Sequence, residues 1–334
     1  MSSRDIQLDV LKGLGIILVV FAHTAHNSVS DFVYLFHMPL FFFLSGAALS
    51  FSWDADYHLG KRLYRIMVPY VAFSLLSFFY WRLVESRFRP VHDGDLFPML
   101  SGMLDMGWQQ FLNIFLAFSF EDAFLYNVVL WFLPCLLMST MIYTCVRRNL
   151  GRYEIVGVVL VAILGLAITE LRLPFCSEIA FAAVPFLWCG RLLYKRLCAS
   201  AALVGGVILV LAMAVMVMFS PHVDMRIHAY GSWWLFYIVA LGLIIPVVIF
   251  SRWLVGKEYG ILQWLGRNSL VVMCVHEPIK RILLKVFAMV TNMEISDIRQ
   301  SAVLSIIITV LVIATCVPAV MMMRRFTPWL IGKK

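Results

Sequence analysis

Asp9-Val-Leu-Lys12-Gly-Leu-Gly-Ile-Ile-Leu-Val-Val-Phe-Ala-His23 decides how this chain is read: it is an apolar helix that carries an ammonium near one end and an imidazole at the other. Eleven positions separate Lys12 from His23, which at 3.6 residues per turn returns them to within about 20° of one face and roughly 16 Å apart along the axis. That face cannot point at hydrocarbon. An ionisable group in a membrane helix costs several kcal/mol unless it faces protein or a wet cavity, so such residues are functional candidates by default. The helix is expected to form one wall of a polar passage.

The 334 residues are 62% hydrophobic and 14% charged, with a mean hydropathy of +0.90. A water-soluble domain of this size does not carry that balance. The expected fold is all-α, a polytopic integral membrane protein of about ten transmembrane helices around the passage. Taking roughly 20 apolar residues per span, the spans fall at 7–25, 32–51, 66–84, 126–146, 153–169, 179–194, 199–219, 233–250, 269–289 and 302–323. Trp108-Gln-Gln-Phe-Leu-Asn-Ile-Phe, within the long 85–125 connection, reads as an amphipathic interfacial helix. No repeat or appended soluble domain interrupts the pattern, so 1–334 is treated as a single membrane domain.

The formal charge of +8 is scattered at helix ends and not gathered on one face, which argues for membrane topology and against nucleic acid as a partner. Arg and Lys collect in alternate connections and acidic residues in the others, which puts both termini in the cytoplasm. The first apolar segment holds Asp9 and Lys12 and no cleavage site, so it is expected to stay as an uncleaved span. The seven cysteines show neither disulfide nor zinc spacing, and no metal is expected.

Several further residues stand out for chemistry. His37 and Ser45 place polar atoms in the second span, His37-Met-Pro39-Leu-Phe-Phe-Phe-Leu-Ser45-Gly46. They read either as an interfacial residue and a close-packing contact, or as passage residues. Lys61, Arg62 and Arg65 cluster before Pro69. Lys61 and Arg65 share a helix face and suit phosphate oxygens, although anchoring at lipid headgroups is the competing use. Trp131 marks the start of the fourth span as a belt anchor or an entrance residue. Asn268 and Ser269 lead into the ninth span, where His276 lies two turns inside, as a packing or a catalytic group. Glu277 and Arg281 are one helical turn apart and could pair.

Taken in order, these features resemble the membrane-bound acyltransferase-3 family. The resemblance rests on Lys12 to His23 with ten residues between, Pro39-Leu-Phe-Phe-Phe-Leu-Ser-Gly46, the Lys61/Arg62/Arg65 cluster before Pro69-Tyr70, Trp131-Phe-Leu133, and Leu265-Gly-x-Asn-Ser269 followed by His276. It covers essentially the whole chain, and the variation at Lys12 resembles fucose 4-O-acetylase-like members. Many relatives carry arginine where this chain has Lys12, so a point charge replaces a bidentate fork there.

The resemblance implies acetyl-CoA as acyl donor and a sugar hydroxyl of a surface glycan, or of its lipid-linked precursor, as acceptor, at a bacterial inner membrane. Lys12, Lys61, Arg62 and Arg65 would hold the donor's phosphates. His23 would act as general base, and Asp9, His37, Ser45, Trp131, Asn268, Ser269 and His276 would line the passage or contact substrate. His26 lies about 60° around the helix from His23 and competes by geometry, but the family pattern selects His23. A transporter or flippase of a glycan precursor is the alternative reading.

Overall fold

A computed structural model describes residues 5–52, 59–84, 108–119, 124, 126–199, 206, 210, 223–255 and 260–332. The described chain is helical, as expected for backbone that must satisfy its own hydrogen bonds in lipid. Its helices are α1 (Ile6–Thr24), α2 (Ser28–Tyr34), α3 (His37–Ser52), α4 (Leu59–Leu83), α5 (Phe132–Leu150) and α6 (Glu154–Ala167). They continue with α7 (Ser177–Ala199), α8 (Trp233–Val255), α9 (Gly260–Arg267), α10 (Ser269–Thr291), α11 (Ile295–Gln300) and α12 (Ala302–Phe326). A further helix covers 108–116.

Seven described stretches are long and apolar enough to cross a membrane: Ile6–Thr24, Ser28–Leu49, Gly60–Leu83, Val128–Ala167, Pro174–Cys198, Trp234–Val255 and Ala302–Phe326. The 40-residue Val128–Ala167 stretch contains two of the expected spans, α5 and α6, separated at Gly151, whose φ of +50° suits a residue without Cβ. With fourteen residues, α6 extends about 21 Å and is shorter than a full crossing. The 23-residue α10 has the length to span, and its charged side chains keep it out of the apolar set. The expected span at 199–219 lies outside the described residues except for positions 199, 206 and 210, as does most of the 85–125 connection. Within that connection, the helix at 108–116 exposes Trp108, Leu112 and Phe115 and buries Gln110 and Asn113, an outward apolar face that suits lipid.

Packing in the bundle depends on small residues where backbones meet. A Cβ on Gly46 of α3 would lie 1.9 Å from the Leu187 carbonyl oxygen of α7, and one on Gly190 of α7 would lie 1.9 Å from the Phe43 carbonyl oxygen. Each glycine admits the other helix's backbone, the close approach that drives association where lipid removes the hydrophobic force. Gly46→Val must separate α3 from α7. We expect a loss of about 3 kcal/mol, the upper end of the usual cost of overpacking, read as a lower unfolding temperature in detergent or as failure to recover folded protein.

Prolines lie inside α4, α7, α8, α10 and α12, and each removes one N–H from the helical ladder. At Pro278 of α10 the carbonyl left over is that of Cys274, and the buried Asn127 side chain donates to it at 2.9 Å. The same amide nitrogen donates to Ser77 Oγ at 3.1 Å. The segment leading to Trp131 is thereby tied to α4 and α10.

Both ends of the described chain lie at one end of the bundle. Gly332 packs on the Arg65 backbone, Arg324 donates to Asn268 Oδ1 at 3.2 Å, and Arg267 donates to Asp9 Oδ2 at 3.2 Å. The opposite end, where α1 stops and α3 starts, carries the pocket.

Candidate active site

A pocket of about 450 Å³ opens at the His23 end of α1. Its walls come from segments far apart in sequence: His23 of α1, Tyr34 of α2, His37 of α3, Trp131 before α5, a pinched loop carrying Asp224 and Arg226, four charged residues of α10, and Arg299 of α11. The loop closes on itself through paired backbone bonds between Asp224 and Ala229, at 2.9 and 3.0 Å. Asp224 Oδ1 also accepts from the Arg226 N–H at 2.9 Å.

Three imidazoles meet at the base. The His23 ring centroid lies 5.7 Å from that of His276 and 6.2 Å from that of His37, and the Tyr34 ring stands 6.0 Å away, edge to face. His37 Nδ1–H donates to the Val33 carbonyl at 2.9 Å, and His276 Nδ1–H donates to the Val272 carbonyl at 3.1 Å. A carbonyl can only accept, so both rings turn an Nε2 lone pair away from their own helix. Among the described residues nothing hydrogen-bonds the buried His276 Nε2 atom. His23 differs. Its ring is half-buried, and its Nδ1 lies 3.5 Å from the Tyr34 hydroxyl, so its hydrogen-bonding is to a side chain that can donate or accept.

Beside the imidazoles α10 supplies a buried charge cluster. Glu277 takes Lys280 Nζ on both carboxylate oxygens, at 2.7 and 2.9 Å, and Arg281 Nε on Oε1 at 3.0 Å. Helical spacing places all three on one face. Lys280 Nζ donates in addition to the His23 carbonyl at 3.2 Å. Arg299 Nε donates to the Thr24 carbonyl at 3.1 Å. These cations cap the last turn of α1, where unsatisfied carbonyls and the negative end of the helix dipole favour them, and so hold the His23 backbone in place.

The residues picked out by sequence divide between the two ends. His23, His37 and Trp131 line the pocket, and His276 packs against the His23 ring. His26 is exposed, held through its backbone N–H to the Arg299 carbonyl at 2.8 Å, and is not among the pocket walls. Asp9, Lys12, Asn268 and Ser269 lie toward the other end, where α9 lies so close along α1 that a Cβ on Gly266 would meet the Asp9 carbonyl oxygen at 1.7 Å. Lys12 is half-buried there, and Lys61 and Arg65 are exposed. Arg62 donates to Thr140 Oγ1 of α5 at 2.8 Å. Ser45 is half-buried next to the Gly46 contact with α7, away from the pocket walls.

Sequence reasoning passed over Tyr34, Asp224, Arg226 and Arg299 as site residues. Tyr34 and the 224–229 loop carry no local signature of a site. Lys280 and Lys285 did carry one, since ionisable residues inside a spanning helix call for a partner or a cavity. The loop is also tied from behind: the buried Glu178 side chain accepts from the Leu173 N–H at 3.0 Å, contacts Ser119 Oγ, and faces His228 Nε2 at 3.6 Å. Among the described residues no group of three or more His, Cys, Asp or Glu side chains is arranged to hold a metal ion.

Comparison with curated proteins and with solved structures gave no match. A family model described as an acyltransferase domain matches residues 5–323, nearly the whole chain, and takes in every residue of the pocket. This chain, a polytopic helical bundle with a histidine-centred polar pocket that the family model matches over nearly its whole length, belongs to the acyltransferase-3 family of membrane acyltransferases.

Proposed function

We propose that this membrane acyltransferase moves an acetyl group from acetyl-CoA to a hydroxyl of a sugar in a cell-surface glycan or its lipid-linked precursor, with His23 as general base. The observation that carries the reading is the meeting of His23 with Tyr34 and His37 in one pocket, with the His276 ring packed against that of His23, at the far end of α1 from Lys12. A long, thin donor with phosphates at one end and a thioester at the other matches that separation of roughly 16 Å.

In this reading the basic end, with Lys12, Lys61, Arg62 and Arg65, faces the cytoplasm of a bacterial inner membrane and holds the donor's phosphates. His23 with its proton on Nδ1 donates to the Tyr34 hydroxyl and keeps Nε2 free. Nε2 takes the proton of the acceptor hydroxyl as its oxygen attacks the thioester carbonyl. The tetrahedral intermediate collapses, the C–S bond breaks, and the imidazolium returns the proton to the leaving thiolate. Glu277, bordering the same pocket, favours the transient positive charge on His23.

The test is purified full-length protein in neutral detergent, given acetyl-CoA with and without a sugar acceptor. Acceptor-dependent release of free CoA thiol together with ester formation on the sugar supports the proposal. Movement of intact sugar across proteoliposomes without thiol release would replace it with transport.

A further inference from the structure

The proposed function leaves open which hydroxyl is esterified, and the tautomers of two pocket histidines narrow it. Among the described residues that line the pocket, His23 and His37 are the imidazoles. His37 Nδ1 lies 2.9 Å from the Val33 carbonyl, which only accepts, so the neutral ring carries its proton there and its Nε2 is an acceptor. The ring edge left to border the pocket bears that lone pair. The His37 ring stands 6.2 Å from the His23 ring and at 89° to it. In the acyl-transfer reading His23 also keeps an Nε2 lone pair, for the hydroxyl that reacts. An occupant therefore meets two imidazole acceptors, and one hydroxyl has a single proton to give. A buried acceptor left facing that occupant without a donor weakens binding.

We infer that the acceptor presents two hydroxyls on neighbouring carbons: one is esterified at His23, and the other donates to His37 Nε2 and so selects the position that reacts. This rests on the acyl-transfer reading for the role of His23, and on the bond to Val33 for that of His37. Two hydrogen bonds of about 2.8 Å each take up most of the 6.2 Å between the ring centres, so the two oxygens lie close together, as they do on adjacent carbons. His37 opens α3 at the end of the bundle opposite Lys12, which assigns its lone pair to the acceptor and not to the phosphate end of the donor. A site built to accept from a substrate hydroxyl rejects the analogue that lacks it.

Full-length protein in neutral detergent is given acetyl-CoA with methyl β-galactoside, cyclohexane-1,2-diol, cyclohexane-1,4-diol or cyclohexanol, and thiol release and ester formation are measured. The 1,2-diol is expected to exceed the 1,4-diol and cyclohexanol by about tenfold or more in kcat/KM, the penalty for leaving one buried acceptor unpaired. The 1,4-diol has as many hydroxyls as the 1,2-diol and controls for their number. His37→Phe keeps a ring without a lone pair, so the ratio of 1,2-diol to cyclohexanol should fall toward one. His37→Gln, whose amide oxygen accepts, should retain part of it. A merely structural role for His37 would lower both rates in proportion and leave the ratio unchanged. If His37→Phe does not fold, the ratio in the parent protein decides alone. A parent ratio near one, or a ratio untouched by His37→Phe, overturns the inference and leaves acyl transfer standing. No thiol release with any of the four compounds removes the acyl-transfer reading and this inference with it.

Discussion

His23→Ala is expected to lower acceptor-dependent thiol release by about 10²- to 10⁴-fold, the usual contribution of a positioned general base. A sugar hydroxyl is a weak nucleophile at neutral pH, and His23 is the imidazole whose Nδ1 approaches a side-chain hydroxyl, at 3.5 Å from Tyr34. Removing the ring leaves the backbone contacts of Lys280 and Arg299 at the end of α1 intact, so the unfolding temperature should hold while the rate falls. His26→Ala serves as the paired control. Its exposed side chain lies outside the pocket walls, and its rate should match that of the unaltered protein. A His23→Ala rate within a few-fold of the parent would remove this imidazole from the chemistry.

The second large effect lies in stability. Glu277→Ala strands the Lys280 charge inside the bundle, where Lys280 is only 7% exposed, and removes the carboxylate that takes two of its three bonds. Breaking a buried ion pair from one side costs about 3–5 kcal/mol, because the remaining charge is desolvated and unpaired. The unfolding temperature in detergent should drop sharply or folded protein should not be recovered. Removing both partners, in Glu277→Ala with Lys280→Met, should recover much of that stability, since an apolar replacement of the pair carries no stranded charge. Activity should remain low in the double variant, because Lys280 also holds the His23 carbonyl at 3.2 Å. Equal unfolding temperatures for Glu277→Ala and the parent would show that the cluster bears no weight.

Part of the candidate site was legible in the chain before folding, and what was and was not legible has a physical cause. The pairing of Glu277 with Arg281 follows from helical spacing alone and is present at 3.0 Å. The same spacing reaches Lys280 from Glu277 at i,i+3, whereas the bond of Lys280 to the His23 carbonyl, 257 residues away, is set by the fold alone. His37 and Trp131 were flagged as polar or aromatic marks at span ends, where anchoring and function look alike in sequence. Tyr34 and Arg226 carry no such mark, and only the fold brings them to the pocket. Ser45-Gly46 had two readings, and the 1.9 Å approach of a Gly46 Cβ to the Leu187 carbonyl oxygen shows close packing at Gly46. That approach depends on how α7 crosses α3.

By itself the sequence determined the apolar helices, their membrane character and the placing of an ammonium and an imidazole on one face of α1, since hydropathy and a 3.6-residue repeat are local properties. Tertiary structure alone decided which histidines meet, which cations share Glu277 and which loop closes the pocket. Those outcomes depend on helix crossings set by small residues and on hydrogen bonds between segments hundreds of residues apart, and no local pattern encodes such contacts.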